Sequence, residues 1–600
     1  MKNLIRLWRL MSGERNLYLL AVIAVAVATL VNFIWPLLLK VTVDNLIGSE
    51  EILNRTWIDP IIKSAVDLAG GREHLRQNLW ICGLGLLLLA GIRGFSQFLK
   101  GKWSASASEN IARKLRNRLY DHIQRLPFSY HQKVETGDLI QRSTSDIETV
   151  RRMLAIQLVE IGRIVFMLVF ALSFMIPMSL ELTIYSVLLM PVILTFSLFF
   201  YKRIRTVFDK VEKAESKMHS VIQENVTGVR VVRAFAAQNH EIDKFDVKNI
   251  GYTNQLFRMM RHLAFYWSCS DLMCGTQMVL VISIATWQAA TGKITLGTMM
   301  AFSSYIGMLI WPFRMLGRIL VDIGKSVVAI GRIDEVLNEK EEVLGNIEGK
   351  PLTGKIEFSD VWFGYDPKKP VLKGVNLKIY AGETVAFLGA TGSGKSSLIH
   401  LLPRLYEYQK GSIKIDGKEL NKLDKHYLRQ NIGIVLQEPF LFSRSIAENI
   451  GITEYEFVEE DVQIASKQAA VHEVITEFDK GYETMVGERG VTLSGGQKQR
   501  IAMARTLLQD TPILIFDDSL SAVDTETDRK IRERLRNRQQ KVTTIIISHR
   551  LTTISEADRI FVLEDGKITQ MGKHEELLNQ PGIYQRIWKI QSSFDLSGTA

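Results

Sequence analysis

Apolar residues are concentrated in six long runs within the first half of the chain. The first run, residues 16–39, contains no charged side chain, and five uncharged or nearly uncharged runs follow it. A helix needs about 20 apolar residues to cross a hydrocarbon core about 30 Å thick. We therefore predict six membrane helices, at about 16–39, 77–99, 160–180, 182–201, 263–292 and 294–317.

The pattern changes at about residue 320. Residues 318–354 look helical at first and then become charged and glycine-bearing, which predicts a linker over 321–354. From Lys355 onward, short strand-like runs alternate with helical segments, as is typical of an α/β nucleotide-binding domain. The pattern predicts an all-α membrane domain over 1–320, an α/β domain over 355–595 and a short tail over 596–600.

The charge distribution indicates how the chain is oriented in a membrane. The net charge is +10, and the stretches 100–155 and 202–262 are rich in Lys and Arg. Four basic side chains precede the first predicted helix: Lys2, Arg6, Arg9 and Arg15. The positive-inside rule places these segments and both termini in the cytoplasm and the mildly acidic 41–76 loop outside. We predict a multi-pass protein of the cytoplasmic (inner) membrane with no nucleic-acid partner.

A phosphate-binding motif follows the apolar stretch "ETVAFL". The sequence "GATGSGKSS" fits G-x-x-x-x-G-K-[ST] and leads into a helical run, so its backbone N–H groups can surround a phosphate at a helix N-terminus. Lys395 can reach the β- and γ-phosphates of a nucleotide, and the Ser396 hydroxyl can ligate Mg²⁺. The predicted binding residues in this motif are Gly389, Thr391, Gly392, Ser393, Gly394, Lys395, Ser396 and Ser397.

Four further stretches accompany this motif. They are "VWFGYDP" with Tyr365, "VLQEPFLF" with Gln437, "LSGGQ" at 493–497, and "TTIIIS" followed by His549. The five motifs, in this order and spacing, resemble those of the ATP-binding cassette (ABC) family. The resemblance implies a P-loop domain that binds ATP and Mg²⁺ and hydrolyses ATP.

The membrane half resembles the exporter branch of that family. The resemblance is carried by "LPFSYHQKVETGDLIQRSTSDIETV" at 126–150 and "ENVTGVRVVRAFAAQNHEIDKF" at 224–245. In exporters such stretches lie on long cytoplasmic helical extensions whose short turns press on the ATP-binding domains. The resemblance puts these turns near Phe128–Lys133 and Ala236–Glu241, and the loop that senses them at "TMVGERG", 484–490.

The resemblance also assigns catalytic and metal-binding roles. It implies that Asp517 supports Mg²⁺ together with Ser396 and Gln437, and that His549 contacts the γ-phosphate. Asp518 occupies the position of the acid that handles the attacking water. We accordingly predict Asp518, His549 and Gln437 as catalytic residues.

Other motif residues face the base of the nucleotide or a second cassette. By the resemblance, Tyr365 stacks on adenine and Asp524 lies in the loop that crosses to a partner domain. Four residues contact ATP held by that partner: Ser494, Gly495, Gly496 and Gln497. Because two cassettes enclose two ATP molecules and this chain has one cassette, the resemblance implies a dimer.

The resemblance to exporters implies ATP-driven export of hydrophobic or amphipathic, drug-like compounds by alternating access. Related exporters carry Glu where this chain has Asp518, so we predict one weakly hydrolysing ATP site in a heterodimer. The alternative is a homodimer in which Asp518 is a weaker catalyst than Glu. Two alternative functions are a lipid or lipid-conjugate translocator and an ATP-gated regulatory or channel-like protein. The predicted partners are a second half-transporter, an amphipathic small molecule and membrane lipid.

One acid, Asp271, falls in the fifth apolar run. An ionisable group at membrane depth is costly and usually faces a cavity or a partner charge. Asp271 therefore either lines a path for cationic substrates or is an interfacial acid at the cytoplasmic end of its helix.

Overall fold

The chain forms two compact units. The computed structural model describes residues 11–48, 59–68, 70–346, 349–453, 456–487, 490–520, 523–536 and 541–597. Several sequence predictions lie outside these residues: those on Lys2, Arg6 and Arg9, on parts of the 41–76 loop and the 484–490 stretch, and on residues 598–600. The first unit comprises Met1–Arg125 and Val134–Glu339, and the second comprises Leu126–Lys133 and Lys340–Ala600.

The described part of the first unit is helical, because a chain in hydrocarbon must satisfy its backbone hydrogen bonds internally. Five helical stretches are long and apolar enough to cross a membrane: Arg15–Ile47, Trp80–Arg125, Thr136–Met178, Leu180–Thr227 and Gln238–Ala290. All but the first two residues of the sixth predicted span, 294–317, lie within the helix Leu296–Leu337, which mixes polar residues such as Ser303 and Ser304 into its apolar run. The structure is consistent with six spans, and the number six stays a prediction.

Shorter helices and helical irregularities interrupt the long ones. The α-helices of the first unit are Arg15–Val41, Asp59–Leu68, Gly71–Gln77, Trp80–Arg125, Thr136–Gln141, Ile147–Arg152, Leu158–Met178, Leu180–Val187, Met190–Thr227, Val229–Ala234, Gln238–Ala290 and Leu296–Leu337. π-helical turns lie at Thr42–Ile47, Arg142–Asp146 and Met153–Gln157. The predicted 182–201 span is divided before Met190 because Pro191, at the start of the second helix, cannot donate a backbone hydrogen bond.

The predicted linker is too long at its N-terminal end. The helix Leu296–Leu337 continues through the first half of the 321–354 segment, and the first unit ends at Glu339. The segment is helical because it carries a buried stripe at helical spacing, which consists of Ser326, Ala329, Ile330, Ile333 and Val336.

The second unit contains two sheets. A four-stranded antiparallel sheet has the order β2-β1-β4-β5, and a six-stranded sheet has the order β10-β9-β3-β8-β7-β6. The strands are β1 Ile356–Phe363, β2 Leu372–Ile379, β3 Thr384–Leu388, β4 Lys410–Ile415, β5 Lys418–Glu419, β6 Ile432–Val435, β7 Ile513–Asp517, β8 Thr543–Ile547, β9 Arg559–Glu564 and β10 Lys567–Gly572. The α-helices are Phe128–Lys133, Lys395–Leu401, Lys425–Asn431, Ile446–Ile450, Glu459–Gln468, His472–Thr476, Gly495–Leu508, Thr525–Arg536, Leu551–Ile554, His574–Leu578 and Ile583–Ser597.

The parallel strands of the larger sheet determine where a ligand can bind. Strands β9, β3, β8, β7 and β6 run parallel, and every residue of β7 and β8 is buried. Asp517 at the end of β7 pairs with Ile547 at the end of β8. The carboxyl ends of these strands therefore meet at one edge, where α/β sheets bind their ligands.

Two segments from outside the sheets are anchored in the second unit. In the helix Phe128–Lys133, the Phe128 ring packs edge-on against Tyr406 at 5.6 Å, and Gln132 accepts a hydrogen bond from the Tyr406 hydroxyl. Glu342, just after the last helix of the first unit, is hydrogen-bonded to Lys425 at 2.9 Å and to Arg429 at 2.7 Å. Burial alone would raise the pKa of Glu342, but these cations hold it below its ordinary value.

Candidate nucleotide-binding site

The loop after β3 has the shape of a phosphate cradle because two glycines permit it. At Gly389 a Cβ would lie 2.2 Å from the carbonyl oxygen of Leu563, so no side chain fits there. Gly394 has φ +104°, a conformation that L-residues with side chains rarely adopt, and the helix Lys395–Leu401 begins directly after it. The "GATGSGKSS" sequence thus folds as a tight loop that ends in a helix N-terminus.

Lys395 lies buried inside this loop, with 6% of its surface exposed. Its Nζ donates hydrogen bonds to the carbonyl oxygens of Gly389 at 2.8 Å and Ala390 at 2.9 Å. Burial lowers the pKa of Lys395, while the nearby Asp517 and Asp518 carboxylates act in the opposite direction. An anionic phosphate entering the loop would meet this ammonium group and could replace its carbonyl partners.

Asp517 ends β7 beside the loop and is 4% exposed. Its Oδ1 accepts a hydrogen bond from the Ser396 hydroxyl at 3.0 Å. Burial raises the pKa of Asp517, and the Ser396 hydrogen bond counteracts part of that rise. A buried carboxylate next to a hydroxyl is the type of hard oxygen donor set that Mg²⁺ prefers, so these residues fit the ion.

Sequence reasoning missed His400 at this site. Its Nε2 lies 3.9 Å from Oδ2 of Asp517, and burial lowers the pKa of its imidazole. His400 is on the same helix as Ser396 and four residues later, so it lies on the same face. That spacing was the signal that could have identified it.

Most of the predicted residues line a single cavity of about 330 Å³. Those on its wall are Tyr365, Thr391, Gly392, Gly394, Lys395, Ser396, Ser397, Gln437, Asp517, Asp518 and His549. Val371 and Ile547 add apolar wall that the sequence did not indicate. Gly389 and Ser393 are not among the lining residues, although the Gly389 carbonyl accepts a hydrogen bond from Lys395, which does line the cavity. The cavity therefore brings together the phosphate loop and the ends of β6, β7 and β8.

Tyr365 closes one side of this cavity. Its hydroxyl is hydrogen-bonded to the Ser397 hydroxyl at 3.0 Å, and its ring packs edge-on against Tyr406 at 5.0 Å. The ring is 52% exposed, so one face is available for an aromatic base. Tyr406, which the sequence analysis did not identify, is in contact with both Tyr365 and Phe128.

Asp518 follows Asp517 with an unusual backbone conformation. Its φ is +46°, in a region that non-glycine residues seldom occupy. Its N–H donates to the carbonyl of Ile547 at 2.9 Å, which ties it to the end of β8. This geometry places Asp518 and His549 on the same cavity wall.

The "LSGGQ" segment, residues 493–497, does not line this cavity. Ser494 caps the helix Gly495–Leu508, with Gln497 N–H donating to its hydroxyl at 3.3 Å and its own N–H donating to Gln497 at 2.8 Å. Asp524 accepts a hydrogen bond from the Thr527 N–H at 2.9 Å, which lowers its pKa. Ser494, Gly495, Gly496 and Gln497 therefore lie at the N-terminus of one helix, Asp524 precedes another, and none of the five lines this cavity.

The backbone around His549 is held by a residue from the C-terminal helix Ile583–Ser597. Gln591 Nε2 donates to the His549 carbonyl at 3.0 Å, and its Oε1 accepts from the Leu551 N–H at 3.2 Å. Arg550 donates to the Val523 carbonyl at 2.6 Å, which links the same loop to the segment that carries Asp524. No sequence pattern pointed to Gln591, because it contacts the loop only through tertiary folding.

In the first unit, Asp271 has a partner charge. Arg314, which is 5% exposed, donates to Asp271 at 2.5 Å and stacks on Trp267 at 4.1 Å. The Arg314 carbonyl accepts hydrogen bonds from Ser197 and Tyr266, so three helices converge at this point. The Asp271 charge is therefore compensated within the chain.

Comparisons with known proteins cover almost the entire chain. Residues 18–313 match the family described as ABC transporter transmembrane region, and residues 372–521 match the ABC transporter family. The uncharacterised ABC transporter ATP-binding protein YknU of Bacillus subtilis is 31% identical over 96% of this chain and 95% of its own length. YgaD of Bacillus subtilis, a candidate multidrug export ATP-binding/permease protein, is 34% identical over 85% of this chain and 88% of its own length.

A solved structure is similar over the same extent. It is the structure of a bacterial Atm1-family ABC exporter with ATP bound, which matches this chain with a TM-score of 0.78 and 26% sequence identity. The match covers 97% of this chain and 99% of the exporter chain.

Proposed function

The chain belongs to the ABC transporter family as an exporter, and we propose that it is one half of a heterodimeric exporter of hydrophobic or amphipathic compounds. The name of the relative YgaD, which refers to multidrug export, supports this substrate class. The membrane half would select the substrate, and closure of two cassettes around ATP would bias the membrane helices toward the outward-open state.

We propose that each polar residue of the cavity has one task. The N–H groups of the 389–397 loop and Lys395 bind the phosphates of ATP, and Tyr365 stacks on its base. Ser396, Asp517 and Gln437 would hold Mg²⁺, which neutralises phosphate charge when bound. His549 donates to the γ-phosphate, and Asp518 accepts a proton from the attacking water or orients it. Ser494 to Gln497 of the "LSGGQ" segment contact ATP bound to the partner.

The observation that carries the heterodimer is the identity of residue 518. Asp518 lies on the cavity wall beside His549 but is one methylene shorter than Glu. A misplacement of about 1 Å can slow a reaction roughly 10²-fold, and positioning dominates phosphoryl transfer. The site formed with this chain's phosphate loop would therefore bind ATP well and hydrolyse it slowly.

Purification of the tagged chain from its native membrane tests the proposal. A second half-transporter should copurify, and the complex should hydrolyse ATP faster in the presence of a transported amphiphile. Asp518→Glu should raise hydrolysis at this chain's site by up to roughly 10²-fold, while loss of the partner's acid should nearly abolish turnover. Asp518→Asn is the control, because it keeps the length and removes the charge.

Two outcomes would contradict the proposal. A stable dimer of this chain alone with full substrate-stimulated turnover would rule out the heterodimer. ATP binding without substrate-stimulated hydrolysis in any assembly would favour the ATP-gated alternative.

A further inference from the structure

A cationic groove runs along two neighbouring helices of the first unit, Met190–Thr227 and Gln238–Ala290. Its larger part has a volume of about 630 Å³ and adjoins a second cavity of about 580 Å³. Phe199, Arg203 and Arg258 line both parts, which therefore form one groove.

The groove lies where both helices pass from apolar to basic sequence. The apolar run 182–201 ends at Lys202, and the run 263–292 begins just after His262. Both of these flanking residues line the groove. A segment at this change of polarity lies at the level of the lipid headgroups on the basic side of the membrane.

The lining combines cations with an aromatic wall. Three arginines contribute to the larger part, Arg203, Arg258 and Arg261, and no acidic residue lines either part. Among the described residues, none of these arginines forms a salt bridge. Phe199 and Phe265 are 65% and 62% exposed. An uncompensated cationic group next to an exposed apolar wall matches a ligand with an anionic head and an apolar chain.

We propose that this groove binds an anionic amphiphile, with its phosphate or carboxylate on Arg203, Arg258 and Arg261 and its apolar chain along Phe199 and Phe265. The planar guanidinium groups suit the oxygens of either headgroup. A membrane phospholipid is the occupant that the headgroup-level position favours, and a transported anionic amphiphile shares its chemistry. The inference rests on the proposed function only in placing these helices in a membrane.

Photolabelling of the purified complex tests the site. The complex is reconstituted in phosphatidylcholine nanodiscs with increasing amounts of a diazirine-bearing phosphatidylglycerol, irradiated without ATP, and digested for mass spectrometry. Peptides spanning 196–210 and 255–265 should carry the label. In Arg203→Gln/Arg258→Gln, the amount of lipid needed for half-maximal labelling should rise roughly 30-fold, since each basic group contributes to anionic-lipid attraction.

A matched variant controls for net charge. Arg205→Gln removes an exposed cation from the same helix outside the groove, and its labelling should equal that of the wild type. Equal labelling by a phosphatidylcholine analogue, or unchanged labelling of the double variant, would overturn the proposal. A variant with the photocrosslinker p-benzoylphenylalanine in place of Phe199 gives a further test. Crosslinking of this side chain to the partner subunit and not to lipid would also overturn the proposal.

Competition with added oleate distinguishes the two sources. If oleate displaces the label and is also transported in an ATP-dependent manner, the groove binds a transported substrate. If oleate displaces the label without being transported, the groove binds a resident lipid. Absence of any displacement contradicts a site for anionic amphiphiles. Because labelling needs no ATP, failure of transport in a separate assay would affect the proposed function and leave this site intact.

Discussion

Gln591→Ala should loosen the backbone that carries His549. The substitution removes the hydrogen bond to the His549 carbonyl and the one from the Leu551 N–H, which have lengths of 3.0 and 3.2 Å. Each net hydrogen bond contributes about 0.5–1.5 kcal/mol, and these two are partly exposed to solvent. We therefore expect a loss of about 1–2 kcal/mol of local stability, which corresponds to a change of roughly 5–30-fold.

Two measurements report this loss. Hydrogen exchange of a peptide that contains Leu551 should accelerate about 5–30-fold at that amide. In the Asp518→Glu complex, where this chain's site is expected to turn over, kcat should fall by up to the same factor with little change in the KM for ATP. The KM is spared because Gln591 lies behind His549 and does not line the nucleotide cavity.

Gln585→Ala is the matched control. Gln585 lies on the same helix and donates one hydrogen bond to the Leu578 carbonyl at 2.8 Å, away from the His549 loop. It should leave both exchange at Leu551 and kcat unchanged. Equal effects of the two variants would mean that the helix acts only through general stability, and an unchanged Gln591→Ala would refute the positioning argument.

Three further predictions concern charged groups. Lys395→Ala should weaken ATP binding at this chain's site about 10–100-fold by removing a charge-assisted contact, and unchanged affinity in a nucleotide-binding titration would contradict the assigned phosphate loop. Asp271→Asn leaves Arg314 buried without its carboxylate and should lower the free energy of unfolding by up to about 3 kcal/mol, measured by thermal unfolding. The double variant Asp271→Asn/Arg314→Gln should recover part of this loss. Selective loss of cationic-dye transport without destabilisation would instead indicate that Asp271 recognises substrate. Because the pKa of Glu342 is lower in the folded state, its contribution to stability is present at neutral pH and disappears as the pH falls below about 4. Glu342→Gln should therefore destabilise the protein at pH 7 and match the stability of the wild type at acidic pH. An equal difference in stability at both pH values would exclude this ion pair as the cause.

The phosphate loop was predictable because its chemistry is contiguous. Gly389 to Ser397 lie together in the sequence, and the strand before them and the helix after them have clear local patterns. Asp517 and His549 were reached through the motif resemblance, and they meet the loop because they end neighbouring parallel strands. Spatial proximity here follows from strand order.

Contacts that depend on packing between distant segments were not predictable. Gln591 reaches the His549 loop from the last helix, and Tyr406 meets Phe128 from the opposite half of the chain. Arg314 was hidden because one arginine in an apolar helix does not reveal its partner. The helical first half of the 321–354 segment was predictable, because apolar residues outnumber charged ones in 321–337 and recur at helical spacing.

The assignment of Leu126–Lys133 to the second unit affects how the protein can be divided. The polypeptide passes between the units at three points, so the ATP-binding unit is a discontinuous fold. A fragment beginning at Lys340 would lack the Phe128 ring that covers Tyr406, and the Tyr406 surface next to Tyr365 would be open to water. Recombinant cassettes cut at the linker should therefore be prone to self-association, and a peptide of residues 126–133 supplied in trans should restore their solubility.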